Sequence, residues 1–356
     1  VSVRQTTWPE IEPSDYDEII DVRSPSEFAE DHLPGAINLP VLDDEERARI
    51  GTLNREKGAF AAKRDGASLV SRHLADHLES HFADKPRSYR PLVYCWRGGQ
   101  RSASLVTVLS SIGWGATQLA GGYKGYRRLV LERLEALPSK FDWIAIGGLT
   151  GTAKTAILLH LEPRACVLDL EGLAHHKGSV LGPDPDQPQP SQKAFEAAIL
   201  AKLEEFTPGS TVLVESESRK VGNLHCPPSL WTAMTGSRVL RIELPFAERV
   251  RYLLRDYDYF VRDPEFLTDR VARLGDRHGA AKVEAWTEQI RTGQWEELVG
   301  GLLRDHYDPL YLASTRYPKP TWILELERYD EEQLTRVDRW YDEVVPAPTA
   351  PAESGT

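Results

Sequence analysis

Sulfur is scarce in this chain, whose 356 residues include three cysteines and one methionine. Cys95, Cys166 and Cys226 lie far apart and are odd in number. They build neither a disulfide framework nor a CxxC metal knuckle, so a reducing cytoplasm is the expected setting. No run of about 18 apolar residues occurs, and neither a membrane-spanning helix nor a membrane partner is expected. The first residues, VSVRQTTWPEIEPSDYDEII, lack a basic start followed by an apolar stretch, so no secretory signal is expected. Internal repeats are also missing. The closing PAPTAPAESGT is poor in apolar residues and reads as a disordered tail over 346–356.

Positive charge is in deficit. The net charge of −11 argues at first against nucleic acid as a partner. Its distribution changes that reading. Residues 1–50 carry 13 acidic and 4 basic side chains, whereas residues 85–140 carry 10 Lys and Arg against Glu132 and Glu135. Arg97, Arg101, Lys124, Arg127 and Arg128 belong to this basic segment. It is either the footprint of a nucleic acid or a solvated charged face, and the sequence leaves both open.

What the chain does contain is enough apolar residue for two cores, so two domains are expected, 1–137 and 138–345, with Pro138-Ser139-Lys140 as linker. In the first, strands over Glu18–Val22 and RPLVYC alternate with helices opened at Ser24-Pro25 and over Ser102–Ile112. A long insertion between them, from VLDDEERARI to LADHLES, has helical apolar spacing. In the second, strands are expected over Trp143–Ile146, Cys166–Leu170, Thr211–Val214, Val239–Leu244 and Trp322–Leu326. Helices over Lys193–Phe206 and Phe246–Asp256 lie between them. Such alternation gives an α/β fold, a parallel sheet covered by helices.

Two loops carry chemistry. In YCWRGGQRSAS a strand delivers Cys95 into a loop with Gly98 and Gly99, and Arg101 stands six positions after the cysteine. Backbone N–H groups of such a loop converge into an anion nest, and with Arg97, Arg101 and the following helix N-terminus they favour the thiolate. That thiolate attacks phosphorus or carries sulfur or selenium, and the loop alone leaves the choice open. In WIAIGGLTGTAKTAILLHL, Gly148 to Thr155 follows the phosphate-binding pattern G-x-x-x-x-G-K-[ST], except that Ala153 replaces the second glycine. Backbone groups of Gly148, Thr150, Gly151, Thr152 and Ala153 would cradle a di- or triphosphate, with Lys154 as point charge and Thr155 open to Mg²⁺. Asp169, Glu171, Glu215 and Glu217 fall at the carboxyl ends of expected strands, where ligands of parallel sheets sit. The adjacent His175 and His176 read as polar site lining or plain surface.

IIDVRSPSEFAEDHLPGAINLP together with VYCWRGGQRS resembles the rhodanese family, with a cysteine loop one residue longer than the ordinary sulfurtransferase form. That spacing equals the one in rhodanese-related phosphatases, but Tyr94 stands where those place a histidine. The pairing of this module with a P-loop, and the segments AGGYKGYRRLV, EGLAHHKGSVLG, QPSQKAFEAAIL and LVESESRKVGNLHCP, resemble the tRNA 2-selenouridine synthase family from about residue 5 to 340. The resemblance implies a rhodanese-like domain followed by a P-loop NTPase-like domain. It implies a transferase acting on tRNA that carries 2-thiouridine at the wobble position. Geranyl diphosphate would alkylate the sulfur, and selenium from selenophosphate would then replace the geranylthio group. No tightly bound cofactor is implied, with Mg²⁺ as an optional ion. Cys95, Arg97 and Arg101 would handle selenium, and Lys154 and Thr155 the diphosphate. Lys124, Arg127 and Arg128, with Arg249, Arg251 and Arg255 of RVRYLLRDY, are the candidate tRNA contacts. Rival readings are a nucleotide-dependent kinase with a regulatory rhodanese module, a Cys-x5-Arg phosphatase, and an inert tRNA-binding scaffold.

Overall fold

The computed structural model describes residues 3–8, 11–179, 181–184, 186–216, 218–313 and 319–345. Glu217 and the tail 346–356 lie outside the described residues. The chain forms two compact units, Val1–Arg133 and Leu134–Thr356.

In the first unit five strands stand in the order β1 (Gln5–Thr6), β5 (Thr117–Leu119), β4 (Pro91–Tyr94), β2 (Glu18–Asp21), β3 (Ala36–Asn38), and every pairing is parallel. Every residue of β4 is buried, as its unbroken apolar run requires for a strand covered on both faces. Helix α1 (Pro25–Glu30) starts from a capping box in which Ser24 and Glu27 bond each other's backbone, with Pro25 in the first turn. The insertion is helix α2 (Asp44–Glu79), broken at Gly58, where φ is +82°. Helices α3 (Gln100–Ile112) and α4 (Gly122–Ala136) complete the unit, α4 running three residues past its border. Cys95 sits in a core with Ile20, Val22, Val93, Leu105, Val106 and Leu109.

The segment Pro138–Lys140 is a packed 3-10 turn whose Pro138 carbonyl accepts from Trp143 Nε1 at 2.8 Å. The second unit then builds a sheet in the order β12 (Trp322–Glu325), β11 (Arg238–Glu243), β6 (Asp142–Gly147), β8 (Thr211–Glu215), β7 (Cys166–Leu168), again wholly parallel. A small antiparallel pair, β9 (Lys220–Val221) and β10 (Leu224–His225), stands apart. Helices α5 (Lys154–Leu161), α6 (Leu170–Ala174), α7 (Gln192–Glu204), α8 (Pro228–Thr235) and α9 (Phe246–Asp256) follow strands or loops. Then comes a helical layer the sequence reading did not foresee. It consists of α10 (Asp258–Arg262), α11 (Pro264–Ala272), α12 (Gly275–His278), α13 (Ala280–Arg291), α14 (Trp295–Leu302), a π-helical turn over Leu303–Tyr307, and α15 (Asp308–Ala313). This layer has its own core around Phe260, Leu267, Trp286 and Leu302. Helix α16 (Glu331–Val344) returns to the sheet, where Val337 and Trp340 join Ile144, Ile146 and Leu240.

β7 ends two residues earlier than its apolar run suggests. β7 stops at Leu168 because the Asp169 side chain accepts from Gly172 N at 2.8 Å and opens α6. Among the described residues, no helix is long and apolar enough to cross a membrane.

Candidate functional site

The cysteine loop is held from three sides. Cys95 is 3 % exposed, and its Sγ accepts from Gly99 N and from Ser102 Oγ, each at 3.2 Å. Gln118 Nε2 donates to the carbonyls of Gly98 and Gly99 and to Ser102 Oγ at 2.8–3.0 Å, so β5 fixes the loop's floor. The backbone of α4 closes the third side, with Tyr123 N donating to Cys95 O and Lys124 N to Trp96 O, both at 2.9 Å. This approach explains the Gly-Gly pair of AGGYKGY. Gly121 and Gly122 have φ of +80° and +52°, and a Cβ on Gly122 would collide with the Cys95 carbonyl and lie 2.7 Å from Gly98 N.

The two arginines differ. Arg97 is exposed. Arg101 is tied to Glu27, its guanidinium donating to the carboxylate at 2.6 and 3.4 Å. Burial pushes the Glu27 carboxyl up, but Arg101, the Ser24 N–H and Arg47 together hold the group below its ordinary range. Sequence reasoning missed this tether, although Glu27 stands in the quoted rhodanese-like stretch. Tyr94 is fully buried, its hydroxyl accepting from Leu33 N at 3.1 Å, and serves packing. Beneath it the buried Arg23 binds Asp21 through two nitrogens, donates to Asp31 O at 2.7 Å, and lies 4.0 Å over the Tyr123 ring. The Asp-x-Arg motif is thus a strut between β2 and α4. Trp114 packs on Phe82 and Tyr89.

In the second unit the loop between β6 and α5 has the strand–loop–helix form of a phosphate cradle. Gly148 and Gly151 take positive φ, and a Cβ on Gly148 would stand 2.6 Å from Ile242 O. Ala153 itself adopts the left-handed conformation (φ +60°, ψ +29°), the backbone state for which glycine is the usual residue. The loop is braced by groups that the sequence reading did not assign to it. Arg249 is 3 % exposed, donates through Nε to Thr150 O at 2.8 Å and pairs with Asp308 at 2.6 and 3.0 Å. This removes Arg249 from the candidate tRNA contacts, because its guanidinium is committed inside the fold. Gly148 N donates to Tyr311 Oη at 3.0 Å. Neither Asp308 nor Tyr311 carries a local motif that would have flagged it.

Thr155 Oγ1 donates to Glu215, at the end of β8, and lies 3.2 Å from Glu171 Oε2. A hydroxyl and two carboxylates form a hard-oxygen set that suits Mg²⁺. Asp169 serves as the α6 cap, and burial pushes its carboxyl above the ordinary range. Glu217 is outside the described residues. The cradle opens into a cleft of about 890 Å³ whose walls include Lys154, Glu171, His176, Lys177, Tyr257 and His306. His176 is a buried wall residue, and His175 carries a left-handed backbone (φ +48°) as the cap of α6.

Of the remaining basic candidates, Lys124 and Arg128 are exposed and Arg127 is half-buried. Arg251 is exposed beside Glu248, and Arg255 lies over the rings of Tyr252 and Tyr329 at 5.7 and 5.4 Å.

Both modules have counterparts among known proteins. The family model described as tRNA 2-selenouridine synthase AAA domain matches residues 141–292, and that of the rhodanese-like domain matches 8–129. A tRNA 2-selenouridine synthase of Cupriavidus pinatubonensis is 36% identical over 82% of this chain and 87% of its own. The chain belongs to the tRNA 2-selenouridine synthase family. Relatives of the same name from Aeromonas salmonicida and Nitrosomonas europaea are each 31% identical, covering 90% and 83% of this chain and 90% and 88% of theirs. Within this family fold, the rhodanese-like unit carries the cysteine and the AAA unit carries the phosphate cradle.

Proposed function

We propose that this chain converts 2-thiouridine at the wobble position of tRNA into 2-selenouridine, in two steps that use the two loops. In the first, the thiocarbonyl sulfur attacks C1 of geranyl diphosphate. The C–O bond to the diphosphate breaks, pyrophosphate leaves, and the uridine N3 proton is lost. Alkylation turns a poor leaving group into a good one and makes C2 electrophilic. In the second step selenium from selenophosphate adds at C2 and the geranylthio group departs as the thiol, while water takes the phosphoryl group.

The observation that carries this reading is the presence, in one family fold, of a phosphate cradle and a buried cysteine lined by donors. Lys154 and N–H groups of the 150–155 loop, apart from that of Thr152, which donates to Leu149 O at 3.2 Å, would bind the diphosphate and stabilise the charge that grows on it as the C–O bond lengthens. Thr155, Glu171 and Glu215 would hold Mg²⁺, which supplies further charge neutralisation at the leaving group when bound. In the cysteine loop, the two donors to Sγ suit a sulfur that holds or steers anionic selenium, and Arg97 stands exposed at the loop. The exposed Lys124 and Arg128 are proposed to bind the tRNA backbone, and the cytoplasm is the proposed setting.

Nucleoside mass spectrometry tests the scheme. Thiolated tRNA is incubated with the protein, geranyl diphosphate and then selenophosphate. Wild type is expected to give the geranyl mass gain and then the selenium nucleoside. Lys154→Ala is expected to lose the first product, and Cys95→Ala to accumulate it. Absence of both products from wild type, with ATP turnover in their place, would favour a kinase.

A further inference from the structure

The phosphate cleft does not end at polar walls. Beside it, under α9, α10, α11 and α14, lies a second pocket of about 70 Å³. Thr150, Ser179, Leu253, Tyr257 and Tyr307 line both spaces, so the two lie side by side next to the cradle. Beyond these shared residues the walls include Phe260, Val261, Leu267, Leu298, Val299 and Leu302, with no formal charge among them. Polar atoms of the shared wall are partly satisfied within the protein, as Tyr307 Oη donates to Ser179 Oγ at 3.3 Å.

We infer that this apolar pocket receives the hydrocarbon chain of an allylic diphosphate whose phosphates sit in the Lys154 cradle. The inference rests on the diphosphate reading above and adds a site to it. Three features select this occupant. The pocket shares Thr150 of the cradle loop with the phosphate cleft, so one molecule held in the cradle has the pocket beside it. Its inner walls offer no hydrogen-bonding side chains apart from the Trp295 indole, which disfavours a nucleobase, whose ring edges would lose their water partners there. Its size admits only a few water-sized spheres at ~10–15 Å³ each, which suits the end of a short branched chain.

Equilibrium binding of inorganic pyrophosphate and of geranyl diphosphate to the full chain separates the two claims. Wild type is expected to bind the geranyl ester at least tenfold tighter than pyrophosphate. Val299→Trp, which fills the pocket, and Val261→Glu, a charge placed at a 40 % exposed wall position, are expected to erase that preference and leave pyrophosphate affinity within twofold. Lys154→Ala should weaken both ligands. Equal wild-type affinities, or a preference kept in both pocket variants, would overturn the pocket while leaving the cradle standing. Failure of wild type to bind pyrophosphate at all would overturn the diphosphate reading and the pocket with it. Thermal unfolding of each variant identifies one that has lost its fold, and the other then decides.

Discussion

At the scale of single residues, Ala153 is the position where sequence pattern and backbone disagree. Its left-handed φ of +60° costs an L-residue about 1–2 kcal/mol, of which glycine's greater unfolded-state freedom would cancel about 0.5–1. Ala153→Gly is therefore expected to stabilise the chain by about 0.5–1 kcal/mol, read as a rise in urea midpoint at unchanged slope; a fall would contradict the strain. His306 gives a second residue-level expectation. Burial, with the charges of His278 and Arg277, holds it down to about 4, and His278 Nε2 lies 2.9 Å from its Nδ1. A histidine whose folded value is depressed favours the fold while neutral. Its contribution is complete above about 6.5 and is lost as pH falls toward about 4. The stability gap between wild type and His306→Gln should shrink over that window in urea titrations, and a gap that widens on acidification would reverse the assignment.

At the scale of elements, the packing of the α4 N-terminus against the cysteine loop depends on one hydrogen atom. Gly122→Ala places a methyl against the Cys95 carbonyl and requires a strained φ as well. The expected outcome is loss of selenium incorporation with geranylation retained, measured on the same tRNA. The brace on the other loop is expected to be costlier. Arg249→Met leaves Asp308 without its partner and frees the Thr150 carbonyl, a loss of about 3–5 kcal/mol by denaturant unfolding. These elements also show what was legible in the sequence. β4, β6 and α5 were readable because buried parallel strands are continuous apolar runs and a P-loop fixes its own context. The α9 helix over Phe246–Asp256 is legible to the residue, yet its Arg249 reads as an outward contact, because a charged residue's partner in a distant segment leaves no periodic trace. The layer from α10 to α15 escaped for a related reason. Its short helices bury single faces against one another and lack long apolar stripes. Glu27 was in view but not its bond to Arg101, which is a contact 74 residues apart.

At the scale of the whole molecule, an acidic chain with a net charge of −11 must bind a polyanion through local charge. Binding of tRNA is expected to weaken steeply with salt. Removing one exposed contact, in Lys124→Ala or Arg128→Ala, should lower the magnitude of the log–log slope by about 0.7–0.9, measured by filter binding across salt concentrations. A slope untouched by either change would move the contact elsewhere. The depth of Cys95 has a further consequence, for how the protein ages. With 3 % of its surface exposed and its sulfur facing Gly99 and Ser102, it is hard for a bulky alkylating reagent to reach, whereas Cys166 is only partly covered. A large maleimide, excluded from the first thiol by size, would then label one with no assigned part in the reaction, and the protein would gain mass while keeping its activity.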